Sequence, residues 1–473
     1  MVFNSFEFLF LFLPLVVIGY YALISYSLAR ASIGLLLIGS LVYYGYWNPI
    51  YLLLIGASII GNFSICKLIS RSRCGMKKLM FCLGICLNVG LIGYFKYTDF
   101  FIQIANESLG TGIPLQHIAL PLAISFFTFQ QVAFVVDTYK GTIEKYSFLD
   151  YALFISFFPQ LVAGPIVYHA EMMPQFSSKT ARVVNWENIY KGIVLLTVGL
   201  GKKVLLADGL SPFVQVIFDR VVNPTWDEAL CGTWAYALQL YFDFSGYTDM
   251  ALGAALMFNI FLPQNFNSPY RSTSIQDFWR RWHMTLSRWL KDYIYIPLGG
   301  SRKGRSRTLV NVMLTFLLGG LWHGAGWGFV IWGALHGTAL ALQRVWSWTG
   351  IRIHCFFGWL TTTLFVFLAW IPFRALTLDK AKGIYLGLVG YNGFKFSQYF
   401  NHTIDSMGFS QARMFNLLAV ATVLAIATPN SMWLIRKIRV HWAVTLYSMA
   451  LAIGSIVAMF NKNYVSEFIY FQF

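Results

Sequence analysis

The stretch TLVNVMLTFLLGGLWHGAGWGFVIWGALHGTALALQRV (308–345) holds two apolar runs, 308–322 and 327–345, with only His323, Gly324, Ala325 and Gly326 between them. A helix that crosses a bilayer takes roughly 20 residues, and each run approaches that length. So short a join predicts a helical hairpin or a broken pair of spans. The glycines at 319, 320, 324, 326 and 328 would let the two backbones approach closely. His323 would then face an internal cavity and not lipid. The question is why an ionisable ring stands there.

The rest of the chain has the same character. Its 473 residues are 57% hydrophobic and 18% aromatic, with only 11% charged; a soluble domain carries about 25% charged residues. Apolar segments fall at about 6–28, 32–47, 50–66, 79–98, 117–136, 190–208, 229–258, 308–322, 327–345, 356–373, 412–429 and 442–460. We read an all-α polytopic integral membrane protein forming a single membrane domain, 1–473, with about 11–12 transmembrane helices. The first run, Phe6 to Leu28, is longer than a signal-peptide core and lacks a basic stretch before it, so it is read as a retained span.

The net charge is +16. In a soluble protein it would raise nucleic acid as a partner, but here the bases gather in short loops between apolar runs, the pattern that sets membrane orientation. Arg30, Lys67, Arg71, Arg73, Lys77, Lys78, Lys140, Lys145, Arg436, Lys437 and Arg439 mark cytoplasmic loops, and both termini are expected outside the cytoplasm. Nucleic acid is excluded as a partner; the lipid bilayer is the expected one. The six cysteines show no C-x-x-C spacing, and no disulfide framework or metal site is indicated.

Two regions do not fit simple crossings. SFLDYALFISFFPQLVAGPIVYH (147–169) is apolar but carries Pro159, Gly164 and Pro165, and reads as an in-plane or re-entrant element. Irregular backbone of that kind is tolerated at membrane depth only inside protein or beside a water-filled cavity. The segment 265–307 carries nine bases, Arg280, Arg281 and Arg288 among them, against Asp277 and Asp292. Its bases alternate with Trp, Leu and Tyr at helical spacing, which predicts a basic amphipathic helix on the cytoplasmic surface.

Of the eight histidines, His117, His169, His354, His402 and His441 fall at loop or interface positions. His283, His323 and His336 fall elsewhere and are the candidates for chemistry. A buried ionisable group in a membrane protein marks a functional site by default, and a neutral imidazole is the natural general base near pH 7. The other reading, a neutral ring bonded to a backbone carbonyl across a helix interface, is open for all three. In QLYFDFSGYTDMALG (239–253), Asp243 and Asp249 could line a polar cavity, form an ion pathway or hold a basic partner; pairing is the favoured reading. There is no G-x-S-x-G elbow, phosphate-binding glycine loop or zinc-spaced His/Glu pair.

Three runs together, YFDFSGYTDMALG (241–253), QNFNSPYRSTSIQDFWRRWHMTLSRWLKDYIYIPLGG (264–300) and GGLWHGAGWGFVIWGALHG (319–337), resemble the membrane-bound O-acyltransferases. The likeness is to the bacterial branch of alginate O-acetyltransferases and the peptidoglycan and cellulose acetylation proteins. It implies that fold, a location in the bacterial cytoplasmic (inner) membrane and a cytoplasmic acyl donor, acetyl-CoA, with no tightly bound cofactor. It also implies an extracytoplasmic polysaccharide acceptor, reached with an SGNH-like O-acetyltransferase partner. The family's essential histidine corresponds to His323 and its second histidine to His283. Tyr241 and Trp322 would line a passage, with Asp243 and His336 beside it, while Arg280, Arg281 and Arg288 would meet the anionic donor. The tail, 461–473, is expected outside the cytoplasm and ends in EFIYFQF, like the family's terminal F-x-Y-F-x-F motif, which makes Tyr470 an acyl relay. An interfacial aromatic belt would satisfy the same residues.

Two other functions compete. D-alanyl transfer from a carrier protein to teichoic acids uses the same fold, but in that branch the terminal motif is expected on a separate subunit. An ion or solute transporter would use His323, Asp243 and Asp249 as a pathway; the lack of internal repeats counts against it.

Overall fold

A computed structural model describes residues 1–143, 146–178, 183–437, 441–461 and 468–469. The described residues form helices and no strands, and each of the twelve expected apolar segments contains a helix, that at 117–136 beginning only at Ile124. Among the described residues, five helices are by themselves long and apolar enough to cross a membrane: Glu7–Ser25, Ile50–Arg71, Cys74–Leu109, Cys355–Arg374 and Trp442–Phe460. A sixth candidate is the pair Gln398–Ser406 and Gln411–Ile426, bent by 84°. The helices holding the candidate chemistry are less apolar. Trp226–Leu256 contains Asp243 and Asp249, and Arg305–His323 opens on Arg305 and Arg307.

The chain divides into two compact units, each assembled from separate stretches. The first comprises Met1–Thr197, Tyr247–Pro263 and Ile438–Ser448. Its core is aromatic: Phe8 and Phe12 pack with Tyr43 and Phe158 at centroid separations of 5.1–6.1 Å. Its helices are also clamped by amides. Asn88 Nδ2 donates to Asn62 Oδ1 at 2.6 Å and Ser58 Oγ donates to Gln131 Oε1 at 2.8 Å, tying Ile50–Arg71 to Cys74–Ile92 and Ile124–Lys140. In lipid, where apolar surface cannot hold helices together, such bonds contribute about 0.6 kcal/mol each. The stretch 147–169 is broken, as expected, into the short helices Phe148–Ser156 and Phe158–Leu161 followed by coil. Every residue from Asp150 to Val167 is buried, so protein shields the irregular backbone.

The second unit comprises Val198–Gly246, Gln264–Lys437 and Met449–Phe473. At its centre Arg305–His323 and Trp327–Thr349 form the expected hairpin. Its tightness rests on missing side chains: a Cβ on Gly320 would lie 2.3 Å from the Phe329 carbonyl oxygen, and one on Gly333 2.5 Å from that of Phe316. Backbone cannot yield as a side-chain tip can. We therefore expect Gly320→Ala or Gly333→Ala to cost about 3 kcal/mol or more, read as a lowered melting midpoint in detergent. Gly56→Ala, inside the helix Ile50–Arg71 with nothing within 4 Å of the added carbon, tests the extra Cβ without the clash. Elsewhere in this unit Glu228, fully buried, accepts from the Thr225 N–H and from the Ser397 N–H and Oγ–H. One carboxylate thus caps the helices Trp226–Leu256 and Gln398–Ser406 at their positive ends.

The basic segment 265–307 differs from the single amphipathic helix its spacing predicts. It folds as Pro269–Arg271, Ile275–Trp279, Met284–Leu290 and Lys291–Tyr295, then runs on to the helix beginning at Arg305. Ser268 (φ +47°) and His283 (φ +41°) break the helical path, and Trp279, Trp282, Trp289 and Leu290 are buried in protein. Tertiary burial of the aromatic residues overrides the local period.

Candidate functional site

His323 is the last residue of its helix and only 4% exposed. The chain turns directly after it, and Gly324 is required there because a Cβ would lie 2.0 Å from the Phe329 ring. The imidazole is boxed by aromatic rings: Trp322 at 4.9 Å, Trp332 at 5.0 Å and Phe373 at 5.1 Å between centroids. Trp322 lies in turn 6.1 Å from His283, and Trp332 4.7 Å from His336. The three candidate histidines therefore form one series, His283–Trp322–His323–Trp332–His336, with an indole between each pair. All five rings are buried.

Their surroundings separate their chemistry. His336 Nδ1 accepts from Trp279 Nε1–H at 3.2 Å. Its proton is thus on Nε2, and Trp279, Trp332, Phe365 and Trp370 pack around the ring. That is the setting of a neutral packing histidine. His283 caps the short helix Met284–Leu290 in a left-handed conformation, strained for a residue with a Cβ. Asn265 holds it there. Its carbonyl oxygen accepts from the Met284 N–H at 2.9 Å, and its side-chain Oδ1 takes Thr285 N–H at 3.3 Å, Thr285 Oγ1–H at 2.9 Å and His283 Nδ1 at 3.1 Å.

The Thr285 amide can only donate, so the Asn265 atom is an oxygen and His283 Nδ1 must carry the proton. The basic lone pair of His283 is then on Nε2. Burial pushes the ring's pKa down to about 3, so it is neutral at physiological pH. An ordinary histidine titrates near 6.5; the unfolded chain therefore takes up this proton first as the pH falls. His283 contributes stability that is complete above pH 6.5 and lost progressively towards pH 3. Melting midpoints of wild type and His283→Gln should accordingly converge as the pH falls from 7 to 5. Under the acyl-transfer role that the resemblance implies for His283, Asn265→Ala should lower kcat roughly tenfold or more, because the lost bond fixes the ring's tautomer.

Asp243 is 1% exposed and fully committed within the protein. Oδ1 pairs with Lys203 Nζ at 2.7 Å, and Oδ2 accepts the Ile469 N–H at 2.9 Å. Lys203 pairs at the same time with Asp208 at 2.8 Å. This is the basic partner that the acidic cluster called for. The helix Trp226–Leu256 passes Gly246 unbroken because glycine there admits the Gly199 carbonyl oxygen, 2.7 Å from where a Cβ would stand.

Tyr241 is buried among Phe242, Phe266, Tyr270 and Trp282. Arg280 is exposed, Arg281 is half-buried and pairs with Asp277 at 2.9 Å, and Arg288 is half-buried. Arg302, Lys303, Arg305 and Arg307 form an exposed basic run at the start of the hairpin. Tyr470 lies outside the described residues. Asn265, Lys203 and Trp332 escaped the sequence reading; the signal for Lys203 was a base within an apolar run, beside an acidic cluster that lacked a partner.

A helical membrane protein with ionisable rings packed inside, away from lipid, is equipped for acid–base chemistry out of water. The chain belongs to the membrane-bound O-acyltransferase family, whose model matches residues 66–377, and it is an acyltransferase. It is 40% identical to a peptidoglycan O-acetyltransferase of Helicobacter pylori, over 100% of this chain and 98% of that protein. It is also 40% identical to a probable alginate O-acetylase of Pseudomonas aeruginosa, over 84% of this chain and 76% of that one. A teichoic acid D-alanyltransferase of Bacillus subtilis is 29% identical over 46% of this chain and 58% of its own length. Family membership removes the transporter reading.

Proposed function

We propose that this protein moves acetyl groups from cytoplasmic acetyl-CoA across the bacterial inner membrane for O-acetylation of an extracytoplasmic polysaccharide. The observation that carries the reading is His323, buried among aromatic rings at the turn of the hairpin, one indole away from a second histidine whose tautomer is fixed. Two relatives aligned over most of this chain, the peptidoglycan O-acetyltransferase and the probable alginate O-acetylase, support acetyl as the group and polysaccharide as the acceptor class.

His323 takes the proton of an incoming hydroxyl as its oxygen attacks the thioester carbonyl. The C–S bond breaks, and the proton passes to the departing thiolate, leaving an acetyl ester and free CoA. The neutral His283, its Nε2 lone pair set by the fixed tautomer, assists as a hydrogen-bond acceptor for the reacting groups. The packed rings exclude bulk water, which suppresses thioester hydrolysis. Tyr470 is the hydroxyl that first receives the acetyl group; an SGNH-like extracytoplasmic O-acetyltransferase then passes it to polysaccharide. The exposed bases Arg302, Lys303, Arg305 and Arg307, with Arg280, Arg281 and Arg288, supply the charge that attracts the anionic nucleotide of CoA.

Free thiol released from acetyl-CoA by the purified protein tests the donor. We expect saturable release with acetyl-CoA and none from a D-alanyl carrier protein; the reverse pattern would move the protein to the teichoic acid branch.

A further inference from the structure

We propose that Asp243 is a positioning residue that latches the C-terminal segment of this same chain through the main-chain N–H of Ile469. The carboxylate is buried, and its two oxygens have separate tasks: Oδ1 faces Lys203 and Oδ2 faces the Ile469 amide at 2.9 Å. Lys203 is shared between two carboxylates, Asp208 and Asp243, so its one ammonium does not neutralise both. A buried carboxylate oxygen in that position needs a donor, and an amide hydrogen bond to an anion is among the stronger neutral-to-charged contacts. The tail supplies it from its backbone.

Packing fixes the direction of the segment. Phe468 is 2% exposed and lies 5.5 Å from Phe244, which also packs against His283 at 4.8 Å and Phe266 at 4.9 Å. Phe244 follows Asp243 directly, so one turn of the helix Trp226–Leu256 carries both the latch and the ring that connects it to the histidine series. Tyr470 is bonded directly to the pinned residue, so the latch also tethers the relay side chain. That consequence rests on the proposed relay; the latch itself does not. Asp243 thus acts on the tail and leaves no oxygen for substrate.

Of the variants in the test, Ile469→Pro deletes the donor and leaves the buried charges intact. Full-length wild type, Ile469→Pro, Ile469→Ala and Asp243→Asn are treated in detergent with a carboxypeptidase, and removal of the last three residues is followed by intact mass. A hydrogen bond to a charged group corresponds to roughly a 10- to 100-fold change in the population of the released tail. We expect trimming to accelerate by about that factor in Ile469→Pro, which has no N–H, and to stay at the wild-type rate in Ile469→Ala, which keeps it. Asp243→Asn should be intermediate. Under the proposed reading, kcat for acetyl transfer in Ile469→Pro should fall at least about tenfold with donor KM unchanged. Equal trimming of Ile469→Pro and Ile469→Ala would overturn the latch, whatever the activities. The predicted trimming pattern in a wild type that transfers no acetyl would keep the latch and remove the functional reading.

Discussion

Replacing His323 by alanine is expected to slow acyl transfer by roughly 10²- to 10⁴-fold, the usual contribution of a positioned general base, while the protein still folds. The ring lies at a helix end, and its contacts are edge and face contacts with Trp322, Trp332 and Phe373. Removing it takes away the proposed proton acceptor from between those rings. His323→Gln, close in size and without basicity, should be nearly as slow, which separates lost chemistry from a lost shape. His336→Gln is the internal control. That histidine accepts a bond from Trp279, and a glutamine carbonyl can accept it too, so the rate should stay within about threefold of wild type. Initial rates of thiol release, measured at matched folded protein by size-exclusion profile, decide between these outcomes.

The largest stability effect is expected at Lys203. Its ammonium is 3% exposed and holds Asp208 and Asp243 together. Lys203→Met would remove the ammonium that two buried carboxylates share, and breaking a buried pair by removing one partner costs about 3–5 kcal/mol. The detergent melting midpoint should drop sharply. Adding Asp243→Asn to Lys203→Met should recover part of the loss, because the second change removes one of the stranded charges. Non-additivity of that kind marks residues in one network. If Lys203→Met melts with wild type, the ion triad is not a structural element of this protein.

The helices were legible in the sequence because bilayer-length apolar runs leave few alternatives, and the hairpin was legible because only four residues separate 308–322 from 327–345. His323 was conspicuous for being ionisable between those runs. The segment 265–307 was misleading for the opposite reason. Its bases and aromatic residues do recur at helical spacing, but left-handed residues at 268 and 283 redirect the chain, and the tryptophans meant for a membrane surface pack inside protein. Asn265 was invisible because an asparagine in a polar loop looks like any turn residue; its role comes from Thr285 and His283, eighteen to twenty positions away. Asp243 announced that it needed a partner, but which base would supply the charge, and that the far end of the chain would supply an amide, are facts of tertiary structure.

The most direct measurement is mass spectrometry of the C-terminal peptide after purified protein meets isotopically labelled acetyl-CoA, with wild type, His323→Ala and Tyr470→Phe run in parallel. The account predicts labelled acetyl on Tyr470 in wild type, none on that peptide in Tyr470→Phe, and none in His323→Ala. Undiminished label on Tyr470 in His323→Ala would contradict it, because the hydroxyl would then be acylated without the buried base.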